Sequence, residues 1–425
     1  MKSNVLQAIL GWVLLILTLV LGATLLASNA LFFRLLIGIA FGYALTRAYM
    51  GFAGSVNRAY NTGSTKLFRT LAFMFFITAV MVAGFLMLTE STDYNLWVNP
   101  INFGLILGGL LFGFGMTFST CCASGVLTDL IGEFPKALVT LVFFCIGVFI
   151  GFPIQNSATW VQKTWLRSAS YENGVFFPDW FKGDPLGGYL GAIILTGVLC
   201  LGVVGLSFAY ERYRKNKNTL YAVPSERLQD NTQPLDTAAF KLFSKDTYTA
   251  LFAKPWKMST GAVVIAITFV VLMAVTKAGW GASTPYGLWF GKILMVFGVS
   301  SESLASFAKM GAAGFETPFF QHAVSVQNFG IILGALFFML MSSQLFEAVK
   351  SAFKLKWWQL LLFAMGGLTM GFGTRLANGC NVGALYTPIA NFSLAGWLFF
   401  IFLALGGVAG NIIQKKIYDK ASGGK

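Results

Sequence analysis

Ten stretches of this chain, each long enough to cross a bilayer as a helix, are almost wholly apolar: 8–28, 31–49, 69–89, 101–120, 137–156, 187–210, 259–276, 328–346, 357–377 and 395–414. A helix of about 20 residues spans the hydrocarbon layer. Inside that layer every backbone N–H and C=O must find its partner within the spanning structure, which leaves helices and closed barrels. None of the blocks alternates apolar and polar residues as a barrel strand does. The expected fold is an all-α polytopic membrane protein with about ten spanning helices. A shorter block at 286–299 reads as a half-helix or a short re-entrant piece. Composition agrees, since 56% of the residues are hydrophobic and only 11% are charged, against roughly 25% charged in soluble domains. The first block, Gln7 to Ala27, exceeds a signal-peptide core of about 7–15 residues and is expected to be a retained helix.

The net charge of +14 has a topological reading rather than one of nucleic-acid binding. Arg47, Arg58, Lys66 and Arg69 surround the second connection, and nine Lys or Arg residues from Arg212 to Lys257 fill the long central one. Lys350, Lys354 and Lys356 precede a late block, and Lys415, Lys416, Lys420 and Lys425 close the chain. Positive loops face the cytoplasm. The other side carries Glu90, Asp93 and a near-neutral 157–186 loop with Trp160, Trp165 and Trp180 as interfacial anchors. Ten crossings with both ends cytoplasmic satisfy every loop. The chain then divides into an N-terminal membrane half, 1–210, a basic cytoplasmic linker, 211–257, with Pro224 and Pro234, and a C-terminal membrane half, 258–425.

One stretch is written twice. From Gly108 the chain reads GGLLFGFGMTFSTCCASGVL, and from Gly366 it reads GGLTMGFGTRLANGCNVGAL, an ungapped match of 9 identities in 20 at an offset of 258 residues. Glycine and leucine matches are cheap in membrane proteins. The pairing of Cys122 with Cys380 is not, because the chain has only five cysteines. With ten crossings the first copy runs inward and the second outward, the arrangement of an inverted repeat. Glycine-rich, helix-poor backbone at membrane depth belongs where it is buried or lines a cavity. Two broken segments meeting from opposite faces, with Cys122 and Cys380 beside the route between them, is the expected arrangement.

A lone cysteine among glycines is usually a packing residue. Two at equivalent repeat positions, where glycines admit close approach, point to function. A thiol is a weak S–H donor with a polarisable sulfur, suited to a soft sulfur-bearing ligand. Cys121 next to Cys122 reads as packing, because adjacent cysteines make poor disulfides. Cys145 and Cys200 read as core. Asn378, Asn381 and Asn391 cluster around Cys380, with Thr374 and Arg375 before it. Arg375 at the end of an apolar run is either a snorkelling interfacial cation or an anion-attracting charge beside the route. Ser119, Thr120, Ser124 and Thr128 supply hydroxyls in the first copy, and Asp129 reads as the start of a solvated turn. Glu302, Lys309, Glu316 and the only histidine, His322, read as an outer surface loop. The single histidine argues against a bis-histidine haem, no phosphate-binding loop is visible, and no cofactor is expected.

The chain resembles the YeeE/YedE family of bacterial inner-membrane sulfur transporters. The resemblance is carried by Gly371-Phe372-Gly373-Thr374-Arg375-Leu376-Ala377-Asn378-Gly379-Cys380-Asn381-Val382-Gly383-Ala384, by Ser393 to Trp397, and by Gly113 to Gly125. It departs at Thr120-Cys121-Cys122, where Gly-Gly-Cys is usual, and at Gly51 in Arg47-Ala48-Tyr49-Met50-Gly51-Phe52-Ala53-Gly54, where a cysteine is usual. What the resemblance implies is an hourglass-shaped transporter of thiosulfate passed along pore thiols, with Cys122 and Cys380 as relay thiols. Asn378, Asn381 and Arg375 stand beside them, and a cytoplasmic sulfur-acceptor protein is an implied partner. With Gly51 the first relay thiol is missing. Cys121 substitutes, the relay is shorter, or the substrate is another sulfur or selenium species. A membrane thiol–disulfide oxidoreductase using Cys121, Cys122 and Cys380, and a structural scaffold, are the competing readings.

Overall fold

The computed structural model describes residues 2–89, 93–231, 241 and 244–421; Glu90, Pro234 and Lys425 lie outside them. The long helices among the described residues are α1 (Lys2–Leu25), α2 (Asn29–Arg47), α3 (Lys66–Leu88), α4 (Phe103–Ser119), α5 (Phe134–Ser157), α6 (Tyr189–Asn216), α7 (Met258–Thr276), α8 (Ala323–Met341), α9 (Trp357–Leu376) and α10 (Leu394–Ala421). Each coincides with one of the ten apolar blocks. Nine are long and apolar enough to cross a membrane, and α4 is the short one. The 286–299 block forms a 13-residue helix, Thr284–Val296. No β-strand occurs among the described residues, only isolated bridges.

Burial sorts the helices as a lipid solvent would. Along α1 the side chains of Val5, Ile9, Val13, Ile16 and Val20 are exposed, as are Ile194, Val198 and Leu201 on α6. These apolar faces have nothing to hide from in hydrocarbon. Helices α8 and α9 are the most enclosed. One continuous core runs from Phe41 on α2 through Phe112 and Phe144 to Phe399 on α10. The packing partners are α5 with α9, α2 with α8, and α4 with both α10 and α9. Every one of these pairs joins the 1–210 half to the 258–425 half, so neither half has a core of its own.

The basic residues of the second connection and of the central linker share one end. Arg47 donates to the Lys254 carbonyl at 2.9 Å, Lys66 meets Asp230 at 2.6 Å, and Arg214 donates to the Tyr60 carbonyl at 2.8 Å. Both termini of the described chain lie there too: Gln7 on α1 contacts Ser343, and Gln414 on α10 donates to the Thr117 carbonyl. The described part of the 211–257 linker packs tightly against this end. Gln229, only 1% exposed, donates to the carbonyls of Ala48 and Trp256. At the opposite end, Trp160, Trp165 and Trp180 are exposed. The 300–325 stretch there forms short helices, with Glu316 accepting from Ser301.

The duplicated glycines explain how α4 and α9 touch. A Cβ on Gly108 would lie 2.6 Å from the Gly373 carbonyl oxygen, and one on Gly373 would lie 2.8 Å from that of Gly108. Gly115 and Gly366 stand in the same reciprocal relation, at 2.5 and 2.7 Å. Early residues of one helix meet late residues of the other, so α4 and α9 cross antiparallel. Because 108 and 366, like 115 and 373, are repeat mates, the crossing lies on an approximate two-fold axis. Small residues at such crossings let backbones approach where no hydrophobic force separates protein from lipid.

Gly113 tests this packing, since a Cβ there would collide with the Leu403 backbone carbonyl of α10. Gly113→Ala is expected to cost about 1–3 kcal/mol through overpacking. It is read as a lower melting temperature and less monodisperse protein in detergent. Gly202→Ala on α6, with nothing within 4 Å of the new Cβ, is expected to leave both unchanged.

Candidate functional site

Both repeat copies break at the same point. After α4, Thr120 turns the chain with φ 58°, and after α9 its repeat mate Asn378 does so with φ 56°. Asparagine accepts this left-handed conformation readily, whereas a β-branched threonine does so at a cost. Beyond the turn each copy resumes in a short helix. The first is Gly125–Gly132, and the second is a π-helical run, Asn381–Tyr386, continuing to Ala390. Cys122 and Cys380 sit just before these restarts.

Each sulfur sits beside the backbone of its restarting turn. Cys122 Sγ accepts from the Gly125 N–H at 3.4 Å and lies 3.5 Å from Ser124 Oγ. The backbone of Val382 and Gly383 lies near Cys380 Sγ. Gly125 and Gly383 are themselves repeat mates. A sulfur that accepts from the backbone keeps its S–H to donate elsewhere. Both thiols are 1% exposed, and all five cysteines are free.

Their surroundings differ. A cavity of about 480 Å³ enters from the basic end and is lined by Gly51, Cys121, Cys122, Ser124 and Thr128, with Arg58, Asp129, Glu133 and Lys136 at its charged wall. It brings together Gly51 and the two adjacent cysteines. Cys380 does not line it. Cys121, expected as packing, is a lining residue. Burial, reinforced by Asp129, holds its thiol well above the ordinary range. Asp129, expected in a solvated turn, faces Lys136 at 3.7 Å inside this cavity.

Around Cys380 the groups are polar and enclosed. Arg375, 2% exposed, donates to Gln155 Oε1 and Thr284 Oγ1, both at 3.2 Å, and to Ser283 Oγ at 2.5 Å. All three acceptors are neutral, and its Nε has no partner. The guanidinium is therefore buried, not snorkelling to an interface. Gln155 donates in turn to Asn378 Oδ1 at 2.7 Å, so Arg375 and Asn378 share one network. Asn381 reaches across to Met116 Sδ on α4 at 3.4 Å, and its Oδ1 is unpaired. Asn391 instead ties the Leu96 carbonyl, away from the thiols. Tyr286 stands near Cys121, Cys122, Cys145 and Cys380, with its hydroxyl donating to the Ala123 carbonyl. Nothing in the sequence pointed to Tyr286. The acidic pair with Lys136, in contrast, follows Cys122 closely along the chain and was open to notice.

A membrane-embedded helical protein, built on an inverted glycine-rich crossing and bearing a thiol-lined cavity, is a device for moving a small solute. The sequence signature of the family described as Sulphur transport matches residues 47–409, and the chain belongs to that family, one of transporters and not of enzymes. It is 24% identical over 380 residues to the thiosulfate transporter TsuA of Spirochaeta thermophila, covering 88% of this chain and 95% of that protein. Identity to TsuA of Escherichia coli is 22% over 379 residues, 88% and 91% of the two chains. The probable transporter YedE of Escherichia coli is 27% identical over 157 residues, a match spanning 37% of each chain.

The cavity predicts which thiols a water-borne reagent reaches. In single-cysteine variants, a cationic methanethiosulfonate added at the basic end is expected to modify Cys121 and Cys122 slowly, the Cys121 reaction quickening as pH rises. Cys145 and Cys380 are expected to stay unmodified, as mass spectrometry of the intact protein would read out. Equal labelling of Cys380 would mean the passage is continuous.

Proposed function

We propose that this protein carries a small sulfur-containing anion, thiosulfate foremost, across the bacterial inner membrane by handing it between Cys380 and Cys122. One observation carries the reading. Two buried, free thiols stand at equivalent repeat positions where each helix breaks and restarts, placed to offer an S–H to a soft sulfur atom. Likeness to two thiosulfate transporters over most of the chain supports it. The buried Arg375, with neutral partners and a free Nε, supplies positive potential next to Cys380, and Asn378 and Asn381 line the approach. A cation in hydrocarbon is expensive without a compensating role. The basic end faces the cytoplasm by the positive-inside bias, and both termini with it. The two membrane halves, 1–210 and 258–425, close an hourglass around the thiols, and the 211–257 segment presents a basic surface to a cytoplasmic sulfur-acceptor protein.

Uptake of radiolabelled thiosulfate into cells lacking their own sulfate and thiosulfate importers tests this. Wild type is expected to accumulate label, and Cys122→Ala or Cys380→Ala to reduce uptake to background with normal amounts of protein in the membrane. Normal uptake by both variants would remove the relay, and none by wild type would remove thiosulfate as substrate. Gly51 adds a second arm. A Cβ there meets nothing within 4 Å and would point into space beside the thiol-lined cavity. Gly51→Cys is expected to fold normally and to raise thiosulfate uptake.

A further inference from the structure

The cavity's charged wall is short of positive charge for the anion it is to pass. Lys136 serves two carboxylates at once, meeting Asp129 at 3.7 Å and Glu133 in a direct short contact. Arg58, the other lining cation, is occupied by Glu226 at 3.7 Å and by the Tyr49 carbonyl at 3.0 Å. Two cations and two carboxylates line the cavity, and Glu226 behind Arg58 brings a third carboxylate, so neither lining cation stands without an acidic partner. An anion entering this space meets the two carboxylates that share Lys136, and no ammonium is free to meet it.

The least costly remedy is a proton. Two carboxylates sharing one lysine in a partly enclosed space cannot both be fully compensated, so one of them titrates near neutrality. Asp129 is the better enclosed: its side chain keeps 29% of its exposure against 54% for Glu133. Burial, with Glu133 adding to it and Lys136 opposing it, pushes the Asp129 carboxyl up to about 6. Every element packed on the Gly125–Gly132 helix leaves this assignment intact. The 120–124 turn brings Cys121 and Cys122, and α5 brings Lys136, with Glu133 just ahead of it. The α2 end brings Tyr49, while Arg47 is turned to the 250–254 carbonyls. Helix α8 offers only apolar side chains to the cavity, and the charged Glu347 and Lys350 on the Leu345–Ala352 helix are exposed and off the cavity wall.

We infer that Asp129 takes up a proton from the aqueous phase as the anion enters this cavity, and that Lys136, released from one of its two carboxylates, turns its ammonium to the anion. Proton and anion thus favour each other's binding, and the coupling is reciprocal by linkage. When the anion leaves, Asp129 returns its proton to water and Lys136 reclaims its second partner. This assignment rests on the proposed anion substrate and adds a proton to its passage.

Calorimetric titration of the purified full-length protein with sodium thiosulfate, a dianion throughout the pH range used, provides the test. Above about pH 6 the affinity is expected to weaken as pH rises, approaching tenfold per unit, and to level off below it. Runs in buffers of different ionisation enthalpy are expected to show close to one proton taken up per anion near pH 7. Asp129→Asn, a neutral mimic of the protonated acid, is expected to bind at all pH values and to lose the pH dependence. Glu133→Gln removes a negative neighbour and is expected to move the knee to lower pH. Infrared difference spectra between acid and alkaline samples give a readout free of ligand: a protonated-carboxyl band present in wild type and absent in Asp129→Asn. Thiosulfate binding without pH dependence, or with the same dependence in Asp129→Asn, would overturn the inference and leave the transporter reading intact. The infrared band without thiosulfate binding at any pH would overturn the substrate and with it the coupling.

Discussion

Everything that positions the thiols depends on two helices being allowed to touch backbone to backbone. In hydrocarbon no hydrophobic force draws α4 and α9 together, so their association rests on close packing. The reciprocal contacts of Gly108 with Gly373 and Gly115 with Gly366 provide it. This crossing fixes more than a distance. Since repeat mates sit on both sides of it, the turns at Thr120 and Asn378 fall at matching places on opposite sides of one axis. The cysteines follow two residues later in each copy. A bulkier residue at the crossing would separate the helices and shift both thiols at once.

The helix breaks then turn a packing motif into a chemical one. An unbroken helix would bond its own N–H groups internally and leave a cysteine sulfur with nothing to accept. By stopping at a left-handed residue and restarting, each copy frees the N–H groups of a new first turn, and the sulfur sits among them. In the second copy the restart is a π-helical run, a form found mostly at functional positions. Asn381, at its first position, is thereby held against Met116 of the opposite copy.

How much of this the sequence disclosed follows from which forces are local. The ten apolar blocks mark the ten long helices because lipid demands length and hydrophobicity from each segment independently. The duplication announced the paired cysteines, and opposite travel of the copies followed from counting crossings. The fate of Arg375 was not legible. Its choice between interface and interior was decided by Gln155, Ser283 and Thr284, which lie 220, 92 and 91 positions away. Cys121 looked like packing because adjacency to Cys122 says nothing about which of two sulfurs faces a cavity. Asp129 looked solvated because one aspartate after a helix usually is, and although Lys136 is near in sequence, only the fold sets both against a cavity wall. The central linker looked like a tether, yet Gln229 and the 250–254 carbonyls are bound into the basic end.

The repeat is symmetrical in backbone and asymmetrical in charge, and on the proposed relay that asymmetry would make its two ends unequal. Where the second copy has Arg375, the first has Thr117. The first copy instead has Asp129, Glu133 and Lys136 beyond its thiol, where the second has Thr387, Asn391 and Leu394. An anion near Cys380 would therefore meet a buried cation with only neutral partners, while one near Cys122 would meet a wall whose cations are already paired with carboxylates. A symmetrical pair of thiols alone would hold a sulfur anion equally well on either side. Fixed positive charge at one copy and titratable negative charge at the other make the two stations unequal. With a proton taken up at Asp129, as inferred above, the difference between them would vary with the pH at the basic end, so the fold that duplicates the thiols would also set the conditions for release.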